Sequence, residues 1–283
     1  MTPRDPAPPR PSPAAARVFV ADVGNSRIKL AALDPHGPGL AARLDLVARE
    51  LAADALAADS PATDALARFI AGAAPGAGLV LVGSVNVAAA ARLEEVVARL
   101  AAARGHALEI RFIGPADLPL EVRLAAPDRV GIDRLAAAAA VARLERGRRP
   151  AVIVDCGTAA TVGCVTADGA FLGGAIFPGP TLLARALATG TSLLPEVHTP
   201  LDAPPPLPGR STTEAITVGI GWGLRGAIRT LVDRSRDVVG SSAALYLTGG
   251  GRGMLRDTLP EAIERPDLVL EGLALAAHRH APA

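Results

Sequence analysis

The chain has 283 residues, enough for one large domain or two of average size. Half of the residues are hydrophobic but only 2% are aromatic, so the sequence predicts a sizeable core built mainly from Ala, Val, Leu and Ile. The 29 Lys and Arg nearly balance the 28 Asp and Glu, and the lack of a basic field, together with the scarcity of aromatic side chains, argues against nucleic-acid binding.

The N-terminal residues 1–16 are rich in Pro and Ala and contain no apolar stretch, which predicts a disordered extension rather than a signal peptide. No uncharged run of about 18 apolar residues follows, so we expect no membrane span and a cytoplasmic protein. Cys156 and Cys164 fall in one predicted β region and are interpreted as buried thiols, because neither a disulfide framework nor CxxC metal spacing is present. The histidines at 278 and 280 are interpreted as part of a frayed tail.

Apolar runs and chain-breaking residues predict alternating strands and helices after this extension. Two short strands flank the turn at residues 22–26 and form a β-hairpin. Further strands are expected near residues 78–85 and 108–113, and helices near 46–58, 62–72, 88–104 and 133–146.

The opening pattern of the chain returns 133 residues later, from residue 22 to residue 155. In each copy a strand ends at an Asp, a Gly follows two positions on, and a small polar residue precedes another strand. This repeat indicates two halves of similar topology, each beginning with a β-hairpin. A third strand ends at Thr248, and the three glycines after it lead into a short helical segment near Met254.

The two hairpin tips suit a site for phosphate and a cation. Glycine lets the backbone approach an anion closely and turn N–H groups toward it. Asp22 and Asp155 are expected near the cation, directly or through its waters, because a carboxylate repels phosphate oxygens. The candidate phosphate ligands are Gly24, Asn25, Ser26, Lys29, Gly157, Thr158 and Ala159. The alternative is that both segments are ordinary Asp-Gly turns. The occurrence of two matched copies favours the phosphate and cation site.

Together with the glycine turn, the tips resemble the ATP-binding signature of the acetate and sugar kinase, Hsp70 and actin superfamily. Five segments resemble type III pantothenate kinases in their order and intervals: residues 22–29, 131–134, 155–159, 173–179 and 211–216. The resemblance runs from about Phe19 to about Gly272. It implies an α/β, actin-like ATPase fold with two ribonuclease-H-like halves, residues 17–130 and 131–283, and an interdomain nucleotide cleft.

The resemblance also implies a reaction, in which ATP phosphorylates pantothenate to 4′-phosphopantothenate, the first step of coenzyme A biosynthesis. A homodimer using Mg²⁺ and K⁺ or NH₄⁺ is expected. Asp133 would be the general base, Asp155 would hold the monovalent cation, and Asp22 would lie near magnesium. The implied substrate-binding residues are Gly131, Ile132, Asp133, Arg134 and Thr212. Residues 173–179 would form a closely approaching loop near the active site.

Some of these residues also have simpler structural explanations. Asp133 opens an Ala-rich helix and could cap it, and the two roles can coexist. Ser211, with Glu214 three residues on, fits a helix capping box better than Thr212 does. Residues 221–226 satisfy GxGxxG formally, but they continue a helical pattern, so a helix packing face of small residues is predicted instead of a dinucleotide site.

The chain departs from the family pattern around the expected substrate pocket. Leu124 replaces a common Tyr, Ala126 replaces an Asn, and Gly163 stands where an Asp commonly follows the second hairpin. These changes leave two alternatives open: a kinase or phosphatase of the same superfamily acting on another small metabolite, or a catalytically inactive nucleotide-binding regulator. The chain retains four charged candidate residues, which argues against the inactive regulator. They are Asp22, Lys29, Asp133 and Asp155.

Overall fold

The computed structural model describes residues 17–34, 39–51, 61–72, 77–105, 107–198 and 203–280. The disordered extension predicted for residues 1–16 lies outside these ranges, as do residues 52–58 of one predicted helix. Within the described ranges, none of the helices has both the length and the apolar character needed to span a bilayer.

The first half is built on a five-stranded sheet of order β3-β2-β1-β4-β5. Its strands are β1 (Arg17–Val23), β2 (Arg27–Leu33), β3 (Leu40–Val47), β4 (Ala77–Ser84) and β5 (Ala107–Phe112). The first three are antiparallel neighbours, whereas β4 and β5 run parallel to β1. Helices α1 (Pro61–Gly72) and α2 (Val87–Arg104) cover one face of this sheet with an apolar layer.

The second half repeats this arrangement with the order β8-β7-β6-β9-β10 and the same strand directions. Its strands are β6 (Ala151–Cys156), β7 (Ala159–Val165), β8 (Phe171–Pro178), β9 (Ala244–Thr248) and β10 (Ile263–Glu264). Helix α4 (Pro180–Gly190) packs on the long α5 (Thr212–Val239), which covers the outer face of the sheet. This repetition confirms the prediction of two α/β halves of similar topology.

A helical layer lies between the two sheets and forms one core with both. It consists of α3 (Ile132–Glu145) and α6 (Leu268–Ala274), followed by α7 (Ala277–His280). Residues 136–140 of α3, all alanine, are buried, and five consecutive buried residues face every side of a helix, as expected for one enclosed in a core. Glu145 at the end of α3 accepts a hydrogen bond of 2.7 Å from the Tyr246 hydroxyl of β9, which links this layer to the second sheet.

Three sequence predictions are wrong over their described parts. The helix expected at 46–58 begins instead as the end of edge strand β3 and a 3₁₀ turn at Ala48–Leu51. Half of the strand's residues are exposed and its Ala- and Leu-rich composition carries little strand signal, so pairing with β2 decides its conformation. The loop expected at 173–179 is mostly strand β8. Its glycine content reflects close packing, because a Cβ on Gly174 would lie 1.8 Å from the Val162 carbonyl oxygen.

The third wrong prediction is the frayed tail. His280 Nε2 lies 3.0 Å from Asp117 Oδ1, and Arg279 donates a hydrogen bond to the carbonyl of Ala116. Arg279 and His280 therefore pack against the segment after β5. The prediction of buried free thiols is confirmed for Cys156 and Cys164, which belong to the neighbouring strands β6 and β7.

Candidate active site

The two hairpin tips meet in space. Ser26 Oγ, between β1 and β2, lies 2.7 Å from Thr158 Oγ1, between β6 and β7, so their hydroxyls share a hydrogen bond. The two segments are 132 residues apart in the chain. The convergence on which the sequence interpretation depended is therefore present.

A cleft of about 440 Å³ opens around this contact. It lies at the carboxyl ends of β1, β4, β6 and β9, the edge at which open α/β sheets bind ligands. The sequence-predicted residues that line it are Asp22, Gly24, Asn25, Ser26, Lys29, Asp133, Asp155, Gly157, Thr158 and Ala159. One wall is formed by the glycine turn at 249–251, as expected from the third strand-to-glycine junction.

Not every predicted residue lines this cleft. Gly131 comes just before the first residue of α3, and the side chain of Ile132 is buried in the core. Arg134 lines a small adjoining cavity, which shares Asp155 and Thr161 with the cleft. Thr212 is exposed at the first turn of α5, outside the cleft lining.

Strand register fixes the charged groups of the first tip. Asp22 is paired with Lys29 across β1 and β2, and Lys29 Nζ lies 3.8 Å from Asp22 Oδ2. In the second hairpin the residue paired with Asp155 is Thr161, which brings no compensating charge. The repeat therefore supplies two carboxylates and only one lysine.

This shortage of positive charge is reflected in the pKa values of the carboxylates. Burial raises the pKa of Asp22 to about 7, against the opposing effect of Lys29. The neighbouring Asp155, Asp133 and Asp45 contribute to that rise. Burial also raises the pKa of Asp155 to about 6, again opposed by Lys29 and reinforced by Asp133. Ionised together, these groups need a cation nearby.

The donor set fits a cation that is shared with phosphate oxygens. Among the described residues, no three His, Cys, Asp or Glu side chains converge in a metal-binding cluster. Magnesium is commonly held by one or two carboxylates plus substrate phosphates, and keeps several waters. Asp22 and Asp155 match that pattern better than they match a site built from protein ligands alone.

Asp133 is not the N-cap of α3. Gly131 occupies the N-cap position without a side chain, and Asp133 lies one residue inside the helix, where its Oδ1 accepts a 2.8 Å hydrogen bond from the Arg134 N–H. A Cβ on Gly131 would lie 2.5 Å from that same oxygen. The glycine thus leaves the space that the carboxylate occupies.

The Arg134 side chain lines the small cavity beside the Phe171 ring. Its guanidinium carbon lies 5.6 Å from the centre of the Phe171 ring, and its Nε is buried without a hydrogen-bond partner. Burial lowers the pKa of Arg134, with Asp133 opposing this effect. Gly163, one of the departures from the family pattern, lines the same cavity and supplies no carboxylate to pair with the guanidinium.

Leu124, another departure, packs against β8. A Cβ on Gly173 would lie 3.0 Å from Leu124 Cδ2, and the Val122 backbone bridges to Phe171. Gly173 also has a φ of +99°, a conformation that favours glycine. Gly163 therefore lies in the cavity of Arg134 and Phe171, and Leu124 packs on β8, the strand that begins at Phe171.

The glycine turn at residues 249–251 packs closely against the second hairpin tip. Gly249 has a φ of +89°, and a Cβ there would lie 2.4 Å from Asp155 Oδ1. The N–H of Gly251 donates a 2.7 Å hydrogen bond to the Cys156 carbonyl. The turn thereby holds the end of β6 in place.

The start of α5 confirms the cap at Ser211 but not the full capping box, in which the Glu214 side chain would bond the Ser211 N–H. Ser211 is the N-cap and its Oγ accepts a 3.2 Å hydrogen bond from the Glu214 N–H, while Glu214 accepts one of 2.6 Å from the Arg210 N–H. The GxGxxG segment lies inside α5, as predicted. The small-residue packing face is wrong for two of its glycines, because a Cβ on Gly223 or Gly226 would meet nothing within 4 Å.

Sequence reasoning missed several residues of the cleft lining. They are Arg27, Arg43, Asp45, Val85, Thr161, Pro180, Thr181, Arg252 and Pro266. Arg43 and Asp45 belong to the part of β3 for which the sequence predicted no element, and Arg43 also forms a 2.5 Å ion pair with Asp267 at the start of α6. Val85 could have been found from its place directly after a buried strand, where the ligand-binding edge of the sheet lies.

The chain matches the family model of type III pantothenate kinase over residues 18–234. A type III pantothenate kinase of Halorhodospira halophila is 38% identical over 268 residues, which are 89% of this chain and 94% of the relative. Another, of Rhodopirellula baltica, is 38% identical over 201 residues, covering 69% of this chain and 70% of the relative.

Two solved structures share the fold. A conserved Baf family protein of Campylobacter jejuni has a TM-score of 0.54 at 19% identity, with 93% of this chain and 98% of that chain covered. The activator of the 2-hydroxyisocaproyl-CoA dehydratase of Clostridium difficile, solved with bound ADPNP, has a TM-score of 0.50 at 13% identity, with 94% and 95% covered. At these identities the likeness confirms the actin-like ATPase fold and nothing about activity.

Proposed function

The chain belongs to the type III pantothenate kinase family, whose members use ATP to phosphorylate pantothenate in coenzyme A biosynthesis, and from this premise we propose which of its residues perform the reaction. The γ-phosphoryl group of ATP is transferred to the primary hydroxyl of pantothenate, giving 4′-phosphopantothenate and ADP. The observation that supports this assignment is the meeting of the two hairpin tips in a cleft that also contains Asp133.

Asp133 acts as the general base. As the bond between the acceptor oxygen and the γ-phosphorus forms and the bond to the ADP oxygen breaks, the hydroxyl proton passes to the Asp133 carboxylate. The side chain is suited to this role because it lines the cleft and Gly131 leaves it room.

The hairpin tips bind the phosphates of ATP. The N–H groups of Gly24 and Gly157 are engaged within their turns, with the carbonyls of Arg27 at 2.9 Å and Ala159 at 3.0 Å. We therefore assign the phosphate contacts to Asn25, Ser26 and Thr158, while the glycines allow close approach. Lys29 adds positive charge to the triphosphate side of the cleft.

Asp22 and Asp155 hold the cations of the reaction. Asp22 is assigned to magnesium, directly or through water, and Asp155 to potassium or ammonium. Both carboxylates have raised pKa values, and a cation would relieve the charge that burial penalises. Bound magnesium would neutralise charge on the phosphoryl oxygens during transfer.

The acceptor lies on the Asp133 side of the cleft, near the start of α3. Gly131 and Ile132 are assigned backbone contacts with the acceptor, because the Ile132 side chain is buried in the core. The Arg134 guanidinium, whose Nε has no hydrogen-bond partner, is available to an acidic substrate. Thr212 is retained as a substrate contact and the homodimer as the assembly, both on the family resemblance. Light scattering of the purified protein would measure the assembly.

The direct experiment is ADP release by the purified chain with pantothenate, MgATP and KCl. Asp133→Asn is expected to lower kcat by about 10²- to 10⁴-fold, with the KM for ATP retained. Asp128→Asn is the matched control, because Asp128 is exposed just before α3 and outside the cleft lining. Turnover by folded Asp133→Asn near that of the wild type would remove Asp133 from its role.

A further inference from the structure

Val85 is an aliphatic side chain in an otherwise polar or small-residue cleft. It follows β4 directly, and its N–H donates a 3.1 Å hydrogen bond to the Val23 carbonyl, which continues the parallel pairing of β4 with β1. The side chain is 37% exposed and belongs to the cleft lining. The other apolar residues of that lining are Ala159, Pro180 and Pro266.

Val85 and the base are neighbours across Gly131. A Cβ on Gly131 would lie 3.3 Å from Val85 Cγ1 and 2.5 Å from Asp133 Oδ1. A hydroxyl placed to donate its proton to Asp133 is therefore attached to a carbon skeleton that lies beside the methyl groups of Val85.

The acceptor has a matching apolar group at this position. In pantothenate the carbon bearing the primary hydroxyl is bonded to a quaternary carbon that carries two methyl groups. When the hydroxyl is within hydrogen-bond reach of Asp133, these methyl groups therefore lie close to it, on the carbon adjacent to the hydroxymethyl carbon. We propose that Val85 packs against this dimethyl group and makes the enzyme selective for acceptors branched next to the hydroxyl. This inference rests on the proposed role of Asp133.

The energetic argument is one of burial. Binding is more favourable when an apolar group of the acceptor covers the exposed Val85 side chain, because apolar surface is then removed from water. An unbranched acceptor leaves part of the Val85 surface open to water. A pocket that recognises one or two methyl groups discriminates by roughly 10- to 200-fold.

The test compares two acceptors: pantothenate and its analogue in which both methyl groups are replaced by hydrogen. The wild type is expected to prefer pantothenate in kcat/KM. Val85→Ala is expected to lower kcat/KM for pantothenate by roughly 10-fold and for the analogue by less than about 3-fold, so the preference shrinks. The matched control is Val87→Ala, since Val87 is 87% exposed and outside the cleft lining.

Val85→Thr provides a second variant that keeps the branched shape beside Gly131. A reduced preference in this variant as well supports direct contact with the methyl groups. An equal fall for both acceptors in Val85→Ala and Val85→Thr would overturn the inference, because it would show that Val85 acts only through Gly131 and Asp133. Failure of the wild type to turn over pantothenate is a different result and would overturn the proposed function itself.

Discussion

At the start of α3, a single missing Cβ gives Asp133 its position. The carboxylate occupies the space in which a side chain on Gly131 would begin, and its Oδ1 accepts a hydrogen bond from the next N–H of the helix. The glycine φ of −56° is one that alanine adopts freely, so the backbone itself does not require glycine here. Glycine is required because the Asp133 carboxylate occupies the space that a Cβ on residue 131 would fill.

Gly131→Ala is therefore expected to displace the Asp133 carboxylate by rotation, at little cost to the fold. We expect kcat to fall by about 10-fold or more, and the free energy of unfolding to change by less than about 1 kcal/mol. Steady-state kinetics with urea denaturation on the same preparation would measure both. Unchanged kcat would show that the carboxylate tolerates the new methyl group in its catalytic position.

The carboxylates of the two tips make stability depend on pH. The pKa values of Asp22 and Asp155 are raised to about 7 and about 6 from a usual value of 3.8, so between about pH 4 and pH 7 the folded protein binds more protons than the unfolded chain. The free energy of unfolding of the ligand-free protein is then expected to fall as pH rises through this window, by a few kcal/mol.

Urea denaturation at several pH values between roughly 4.5 and 7.5 would measure this slope. Because histidines titrate in the same range, the informative quantity is the difference between the wild type and Asp22→Asn, which should have a shallower slope. Identical slopes in the two proteins would contradict the assignment of the pH dependence to Asp22.

At the scale of elements, the contact between α3 and α6 sets how closely the central layer packs. A Cβ on Gly272 of α6 would lie 1.8 Å from the Ala136 carbonyl oxygen of α3. Because both partners of this contact are backbone, no side chain can rotate to relieve it. The alanines of α3 extend the same close fit toward both sheets.

Gly272→Ala is expected to force the helices apart and lower the free energy of unfolding by about 3 kcal/mol. Gly226→Ala is the matched control, since Gly226 lies inside α5 where a Cβ would meet nothing, and the helical preference of alanine should raise stability by roughly 0.5–1 kcal/mol. Chemical denaturation of both variants gives the comparison. Equal effects would mean that close packing between α3 and α6 does not limit the fold.

At the scale of the whole molecule, the two halves share their core. Buried residues of β1, β4, β6 and β9 belong to one cluster with α3 and α6. Direct contacts also join the halves at the cleft, through Ser26 with Thr158 and Arg43 with Asp267. The inner face of the first sheet is therefore covered by α3 and α6, which belong to the other half of the chain.

From this shared core we expect a single cooperative unfolding transition. Calorimetry of the full chain should give a calorimetric enthalpy equal to the van't Hoff enthalpy. The same reasoning applies to the boundary proposed before residue 131, since a chain of residues 131–283 would expose the face of α3 and α6 that meets the first sheet. Two separated transitions in the full chain would show that the halves unfold independently.

The sequence by itself determined the features that are local or repeated. The two tips, the glycine turn, the cap at Ser211 and the helical conformation of the Ala-rich α3 sequence all follow from residue type and spacing. Asp22 and Asp155 were found because a matched pattern at two places is much less frequent by chance than one turn. Lys29 was found from its position shortly after the first tip, and Asp133 from the resemblance of residues 131–134 to the family.

Only the tertiary structure decided which residues meet across the chain. Strands β3 and β8 take their conformation from pairing with neighbours, which local composition does not show. The ion pair between Arg43 and Asp267, and the approach of Val85 to Asp133, depend on how the layers stack. The physical reason is that propensity and periodicity act over a few residues, whereas a site between two halves is fixed by packing between segments far apart in sequence.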